Sequence, residues 1–278
     1  LPDAGDVAIR CSIVTLFPEM FTGLLRQSIL KRAQEHGLLE VNLLQLRDFA
    51  ENRHQRVDDA PFGGGPGMVL KADVLERAVG HLRVAEDPLA PAHVVYLTPQ
   101  GQPFVQADAK RLAGMAHLIL VCGHYEGVDE RFVATQVDEE LSLGDFVLTG
   151  GEIPAMAVLD AVARLLPGVL GDPESFAGDS FYQGLLDHPH YTRPARWQPA
   201  AGQTSFSVPE VLLSGHHSKV RDWRRRQALL RTLLRRPDWL IRANLSKTEK
   251  ALMELLASAL EQDEWRLVDG TNCEDQMK

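Results

Sequence analysis

Cysteine is scarce. Cys11, Cys122 and Cys273 are scattered, odd in number and never paired as C-x-x-C. That spacing excludes a disulfide framework and a structural zinc site, and it fits a reducing cytosol, so a cytoplasmic location is expected. Long apolar runs are missing as well. None approaches the roughly 20 residues of a membrane span, so no membrane partner is expected. The opening "LPDAGDVA" has no basic stretch followed by an apolar one, so it is not expected to be a secretory signal. There are no internal repeats.

Positive charge is also in deficit. The formal net charge of −9 argues against a general nucleic-acid coat, yet it is unevenly spread. Between His216 and Arg242, nine Lys/Arg stand against Asp222 and Asp238. This local +7 leaves −16 on the rest of the chain. An acidic body with one basic segment suits a localised polyanion contact; the competing reading is a solvated helix face.

What is present is an alternation. "IRCSIVTLF" reads as a strand and "PEMFTGLLRQSILKRAQEHG", opened by Pro and closed by Gly, as a helix. "LEVNLLQLRDF" reads as the next strand. The loop "AENRHQRVDDAPFGGGPGM" follows, then a helix from Lys71 to about Val84, the strand "HVVYLT", the helix "PFVQADAKRLAGM" and the buried strand "HLILVCG". A short helical piece after Gly127, a short strand near "FVLTG" and a helix from Ile153 to Leu166 complete the series. Apolar strands alternating with helices predict an α/β fold with a parallel sheet covered on both faces.

The pattern breaks at "GVLGDPESFAGDSFYQGLLD", which is rich in Gly, Asp and Ser and too long for an idle connection. Beyond it, "KVRDWRRRQALLRTLLRR" places Val220, Trp223, Leu230 and Leu234 on one helical face, and Pro237 stops the helix. "SKTEKALMELLASALEQ" carries a Ser246/Glu249 capping box. The expected divisions are an α/β domain over 9–167, a flexible linker or lid over 168–190, and a small all-helical domain over 191–278. The tail after Leu260 has no interpretable pattern.

Three turns follow three strands: "YLTPQGQPF", "CGHYEGVDER" and "LSLGDFVLTGGEIP". In open α/β sheets, ligands bind beyond the carboxyl ends of strands, and glycines there let a ligand approach the backbone. The third turn matches neither G-x-G-x-x-G nor G-x-x-x-x-G-K-[ST]. The first turn has no Lys or Arg, and Arg131 is the only one near the other two, which makes a poor phosphate site. The turns instead suit an uncharged nucleoside with a cationic appendage, with Glu126 or Asp145 facing the positive charge. S-adenosylmethionine has those properties.

These motifs resemble one family closely. "TLFPEMF", "VDDAPFGGGPGM", "YLTPQG", "CGHYEGVDERF", "SLGDFVLTGGEIPAM", "DAVARLLPGVLG", "DSF", "GLLDHPHYTRP" and "VLLSGHHSKVRDWRRRQ" run in the order of the bacterial tRNA (guanine-N1)-methyltransferases, over roughly Ile13 to Trp239. The match departs at His124, where many members carry Arg, and at Phe146, often Tyr. The resemblance implies a C-terminal trefoil knot in the α/β domain, of the SPOUT type, and a homodimer whose active site is shared between subunits. It also implies tRNA as partner, with methylation at the guanosine 3′ of the anticodon, position 37.

The resemblance further implies donor contacts at Tyr96, Leu97, Thr98, Pro99, Gly123, Tyr125, Glu126, Leu143, Gly144, Asp145, Phe146, Val147, Leu148, Gly150, Gly151 and Pro154. It implies tRNA contacts at Asp58, Gly67, Ser180, His190, Arg193, Lys219 and Arg224. Asp179 of "DSF" would be the general base and Arg164 of "DAVAR" the stabiliser of charge on O6. Taken alone, Asp179 reads as a linker acid and Arg164 as a helix-edge ion pair. Mg²⁺ is implied too. No metal cage is evident, so a largely hydrated ion at an unknown site is expected.

The chemistry is consistent. Neutral guanine carries a proton on N1, so a base must remove it, and donors must meet the charge developing on O6. His188, His190, His216 and His217 have no Cys or close acid at ligand spacing and read as RNA contacts or packed histidines. Cys122 reads as a buried small residue rather than a nucleophile. "DDAPFGGGPGM" could form a phosphate nest; the resemblance instead places it near the target base. Two other readings stand beside this one: a ribose 2′-O-methyltransferase, which would not need the Asp179/Arg164 pair, and a non-catalytic RNA-binding protein.

Overall fold

A computed structural model describes residues 9–83, 91–170, 179–182, 184–199, 204–241, 243 and 245–261. Arg242, residues 171–178 and 183 of the expected linker, and the tail from residue 262 lie outside them. The chain divides into two compact units, Leu1–Pro173 and Glu174–Lys278.

In chain order, the first unit contains strand β1 (Ile9–Thr15), a 3₁₀ turn (Pro18–Phe21), helices α1 (Thr22–Leu25) and α2 (Ser28–Glu35), strand β2 (Leu39–Gln45) and a second 3₁₀ turn (Leu46–Phe49). Strands β3 (Asp58–Asp59) and β4 (Val69–Leu70) and helix α3 (Ala72–Arg83) follow. Then come β5 (His93–Pro103), α4 (Gln106–Leu112), β6 (His117–Cys122), α5 (Glu130–Gln136), β7 (Glu139–Ser142) and α6 (Glu152–Ala163). Five strands form one parallel sheet in the order β2-β1-β6-β5-β7.

The strands show why burial on both faces was legible. On β6, Leu118, Leu120 and Cys122 enter one core with Leu30 of α2 and Leu159 of α6. Ile119 and Val121 enter the other with Leu75 of α3 and Phe132 of α5. Successive side chains point to opposite faces, so a strand covered on both sides is apolar throughout.

Several boundaries differ from the expected ones. The helix expected over Pro18–Gly37 is broken: Gln27 is extended and Ser28 takes a φ of +50°, after which Gln34 Nε2 ties α2 back to the Leu25 and Leu30 carbonyls. The strand expected near "FVLTG" is irregular chain; the strand lies earlier, at Glu139–Ser142. "LTPQGQP" is not a free turn but continues β5 with a shift in register, so that Leu97 and Gln102 both face Leu141. Gly101 makes this fit, because a Cβ there would lie 2.5 Å from the Leu141 backbone nitrogen.

The second unit contains strands β8 (Arg196–Trp197) and β9 (Phe206–Ser207) and helices α7 (Glu210–Leu213), α8 (His217–Arg235), α9 (Pro237–Leu240) and α10 (Lys247–Glu261). It is therefore not purely helical. Trp197 and Phe206 pair across an antiparallel ribbon that the short polar stretches around them concealed. Leu185, Leu229, Met253 and Leu256 form its core.

The expected face of α8 also needs correction. Leu229 and Thr232 are its buried residues, whereas Leu234 is exposed. Thr232 Oγ1 donates to the Ala228 carbonyl and accepts the Leu186 N–H, so the chain before β8 is fastened along this helix. The capping box forms as expected: Glu249 N–H donates to Ser246 Oγ and Ser246 N–H to Glu249 Oε2. Val169 packs in the first core and Leu185 in the second, so both ends of the 168–190 segment are held.

Candidate functional site

The carboxyl ends of β5, β6 and β7 meet around a cavity of about 290 Å³. Every residue expected at the donor site lines it except Asp145. The walls are joined by backbone. Gly151 N–H donates to the Gly123 carbonyl at 2.9 Å, and His124 bridges Gly150 in antiparallel fashion. Tyr125 holds a φ of +59° in the middle of this turn, a left-handed conformation that a non-glycine residue takes at a cost. Tyr96 forms the floor; burial pushes its phenol upward, opposed by a hydrogen bond from Thr98.

The charge of the lining is one-sided. Glu126, Glu130 and Glu140 contribute to it, and among the described residues no Lys or Arg does. Such a cavity repels phosphate and attracts a cation. Glu130, Glu140 and His124 escaped the sequence reading of donor contacts. Glu140 lies on β7, outside the glycine turns, and Glu130 falls at the end of the second turn, where α5 has begun.

The glycine-rich loop between β3 and β4 is fastened to the second of these turns. Leu70 bridges Val128, and Glu126 N–H donates to the Met68 carbonyl. Gly67, with a φ of +84°, packs so closely on the Glu126 side chain that a Cβ would fall 2.2 Å from Oε1. Asp58 sits at the base of the loop on β3. Arg164 caps the C-terminus of α6, where its N–H donates to the Asp160 carbonyl.

In the second unit, Asp179 accepts the Tyr182 N–H through its carbonyl, and Ser180 Oγ accepts the Asp187 N–H. Asp187 is the acid that the sequence reading of the histidines overlooked. Its carboxylate contacts His188 Nδ1 at 2.6 Å and His190 Nε2 at 2.8 Å. Burial works against the Asp187 charge, but these partners hold the carboxyl below its ordinary range. Burial also lowers the His188 imidazole, and the charge of Arg224 adds to this against the pull of Asp187. The three groups could hold a metal ion, but Arg193 and Arg224 line the recess beside the histidines, which favours an anion there. Lys219 is exposed on the first turn of α8. Cys11 and Cys122 are fully buried, and burial pushes the Cys11 thiol up to about 12, so neither is a nucleophile.

A parallel α/β sheet covered on both faces, with an acid-lined, glycine-walled cavity beyond its strand ends, defines the class of α/β proteins that bind ligands at the carboxyl ends of their strands. Comparison narrows the class. The family model described as tRNA (Guanine-1)-methyltransferase TrmD matches residues 9–242. A tRNA (guanine-N(1)-)-methyltransferase of Magnetococcus marinus is 61% identical over 253 residues, 91% of this chain and 98% of that protein. Proteins of the same name from Moorella thermoacetica and Desulforamulus reducens are 54% and 52% identical, covering 88% and 89% of this chain and 96% and 95% of theirs. The chain belongs to the tRNA (guanine-N1)-methyltransferase family.

Proposed function

We propose that the chain transfers a methyl group from S-adenosylmethionine to N1 of the guanine at position 37 of tRNA, 3′ of the anticodon. The observation that carries the donor assignment is the cavity lined by Glu126, Glu130 and Glu140 without Lys or Arg. Three carboxylates suit a sulfonium and an ammonium, whereas a phosphate would be left unpaired. The sulfonium supplies an electrophilic methyl group. The chain's residues must then hold the donor against the acceptor base and manage one proton.

Asp179 is the proposed base that takes the N1 proton, and Arg164 the proposed donor to the charge that appears on O6. Asp58, Gly67, Ser180, His190, Arg193, Lys219 and Arg224 are proposed to contact tRNA. Fully exposed Phe62, in the loop that Gly67 packs down, offers a face on which a base can stack. The path through the three turns is proposed to be knotted. Exposed Phe17, Met20 and Ile153 support a homodimer with a shared site.

Among the described residues no helix is long and apolar enough to cross a membrane; a cytoplasmic location is proposed on the substrate. Mg²⁺ prefers oxygen ligands, and the Asp187 cluster offers a single carboxylate beside two imidazoles. No step is assigned to that ion.

The test is to incubate the chain with labelled S-adenosylmethionine, Mg²⁺ and unmodified tRNA bearing guanosine 37, then digest to nucleosides. Label is expected in 1-methylguanosine. Label in a 2′-O-methyl nucleoside, or donor binding without turnover, overturns the reading in favour of a ribose methyltransferase or an RNA-binding protein.

A further inference from the structure

Beneath the donor cavity lies a polar network that none of the assigned roles uses. Glu152, the first residue of α6, is 2% exposed. Its Oε1 accepts the Thr15 hydroxyl at 2.6 Å, and His124 Nε2 stands 2.9 and 2.7 Å from its two carboxylate oxygens. Thr15 Oγ1 also accepts the Phe17 N–H at 2.9 Å, which leaves its own hydrogen for Glu152. The network therefore fastens together the end of β1, the turn after β6 and the start of α6.

The His124 ring has a second function in this arrangement. It fills the space left by Gly150, where a Cβ would fall 2.3 Å from His124 Cε1. Phe17 closes the opposite side edge-on, with ring centroids 5.1 Å apart. His124 is thus a shared wall between the donor cavity and a neighbouring recess lined by Phe17, Met20 and Ile153. The ring sets the separation of the second and third turns, and Glu152 sets the ring.

We propose that His124 is a positioning residue for the methyl donor, held in place by Glu152 and Thr15; this rests on the donor reading of the cavity given above. Removing the ring merges the two recesses and strips a buried carboxylate of a donor, a change the turns can relieve only by moving. Thr15 lines neither recess, so any effect of altering it on the donor must pass through Glu152 and His124.

Calorimetric titration of the full chain with S-adenosylmethionine tests this, with wild type as the first arm. His124→Ala is expected to weaken binding about 10- to 100-fold, the scale set by leaving a buried polar group unpaired, and Thr15→Val by a smaller factor. His124→Gln, which can still donate to Glu152 but lacks the ring, should fall between wild type and His124→Ala. The double variant of Thr15→Val with His124→Ala should be clearly non-additive. In steady state His124→Ala should raise KM for the donor and leave kcat near wild type at saturation. A purely structural loss would lower the active fraction, reducing kcat with KM unchanged, and would overturn the proposal. So would wild-type donor affinity in both His124→Ala and Thr15→Val. Absence of donor binding by the wild type would overturn the donor reading and this inference with it.

Discussion

Gly151 and Cys122 are in backbone contact: a Cβ on Gly151 would stand 2.6 Å from the Cys122 Cα and 2.9 Å from the Gly123 nitrogen. The glycine pair thus lets the turn before α6 lie directly on the end of β6, where both line the cavity. At Gly150 the obstacle is a side chain, the His124 ring; at Gly151 it is main chain that cannot rotate away.

The two glycines should therefore respond unequally. Gly151→Ala is expected to cost about 1–3 kcal/mol, the usual range for overpacking, and to lower donor affinity more than Gly150→Ala does. Thermal unfolding and calorimetry on both variants check the order. Equal and small effects would mean that the turns are not rigidly apposed.

Asp179→Ala is expected to reduce methyl transfer by about 10²–10⁴, and Arg164→Ala by about 10²–10³, in the manner of a lost oxyanion donor. Single-turnover rates measure both. Donor affinity of Asp179→Ala should remain near wild type, because Asp179 is not among the residues lining the cavity. A collapse of donor binding in that variant would remove its assignment as base.

Acid sensitivity of the second unit should trace to Glu249. Its hydrogen bond to Arg225, aided by the Ser246 cap, holds its carboxyl at about 2, against an ordinary 4.5. The folded-state value is the depressed one, so the stabilisation is complete above pH 4.5 and is lost as pH falls toward 2. All four tryptophans (Trp197, Trp223, Trp239 and Trp265) lie in this unit, so their fluorescence reports on it selectively. Glu249→Gln should flatten the dependence between those pH values, and Ser246→Ala should cost about 1 kcal/mol.

The arginines of α8 should separate into two kinds. Arg225 is committed to Glu249, so Arg225→Gln should destabilise the packing of α8 on α10. Lys219 and Arg224 are exposed, and neutralising each should lower the salt dependence of tRNA affinity by about one unit of log–log slope. Binding titrations over a range of salt concentrations check this. A flat response in the wild type would return the segment to a solvated helix face.

The sequence alone was enough for the alternation of strands and helices, the burial of β1, β5 and β6, the capping box at Ser246 and the grouping into three turns of residues that line one cavity. Each of these is written locally, in period, in cap chemistry or in adjacent glycines. Only the tertiary structure decided which residues meet across distance. The strand order β2-β1-β6-β5-β7 brings the end of β1 to the turn after β6 and the start of α6. Thr15 and Glu152, 137 residues apart, then share a hydrogen bond that no local pattern announces. The buried face of α8 was likewise set by its partners, because Leu186 and α10 approach it on the side of Leu229 and Thr232. Periodicity specifies that a residue is buried; strand order and packing specify against what.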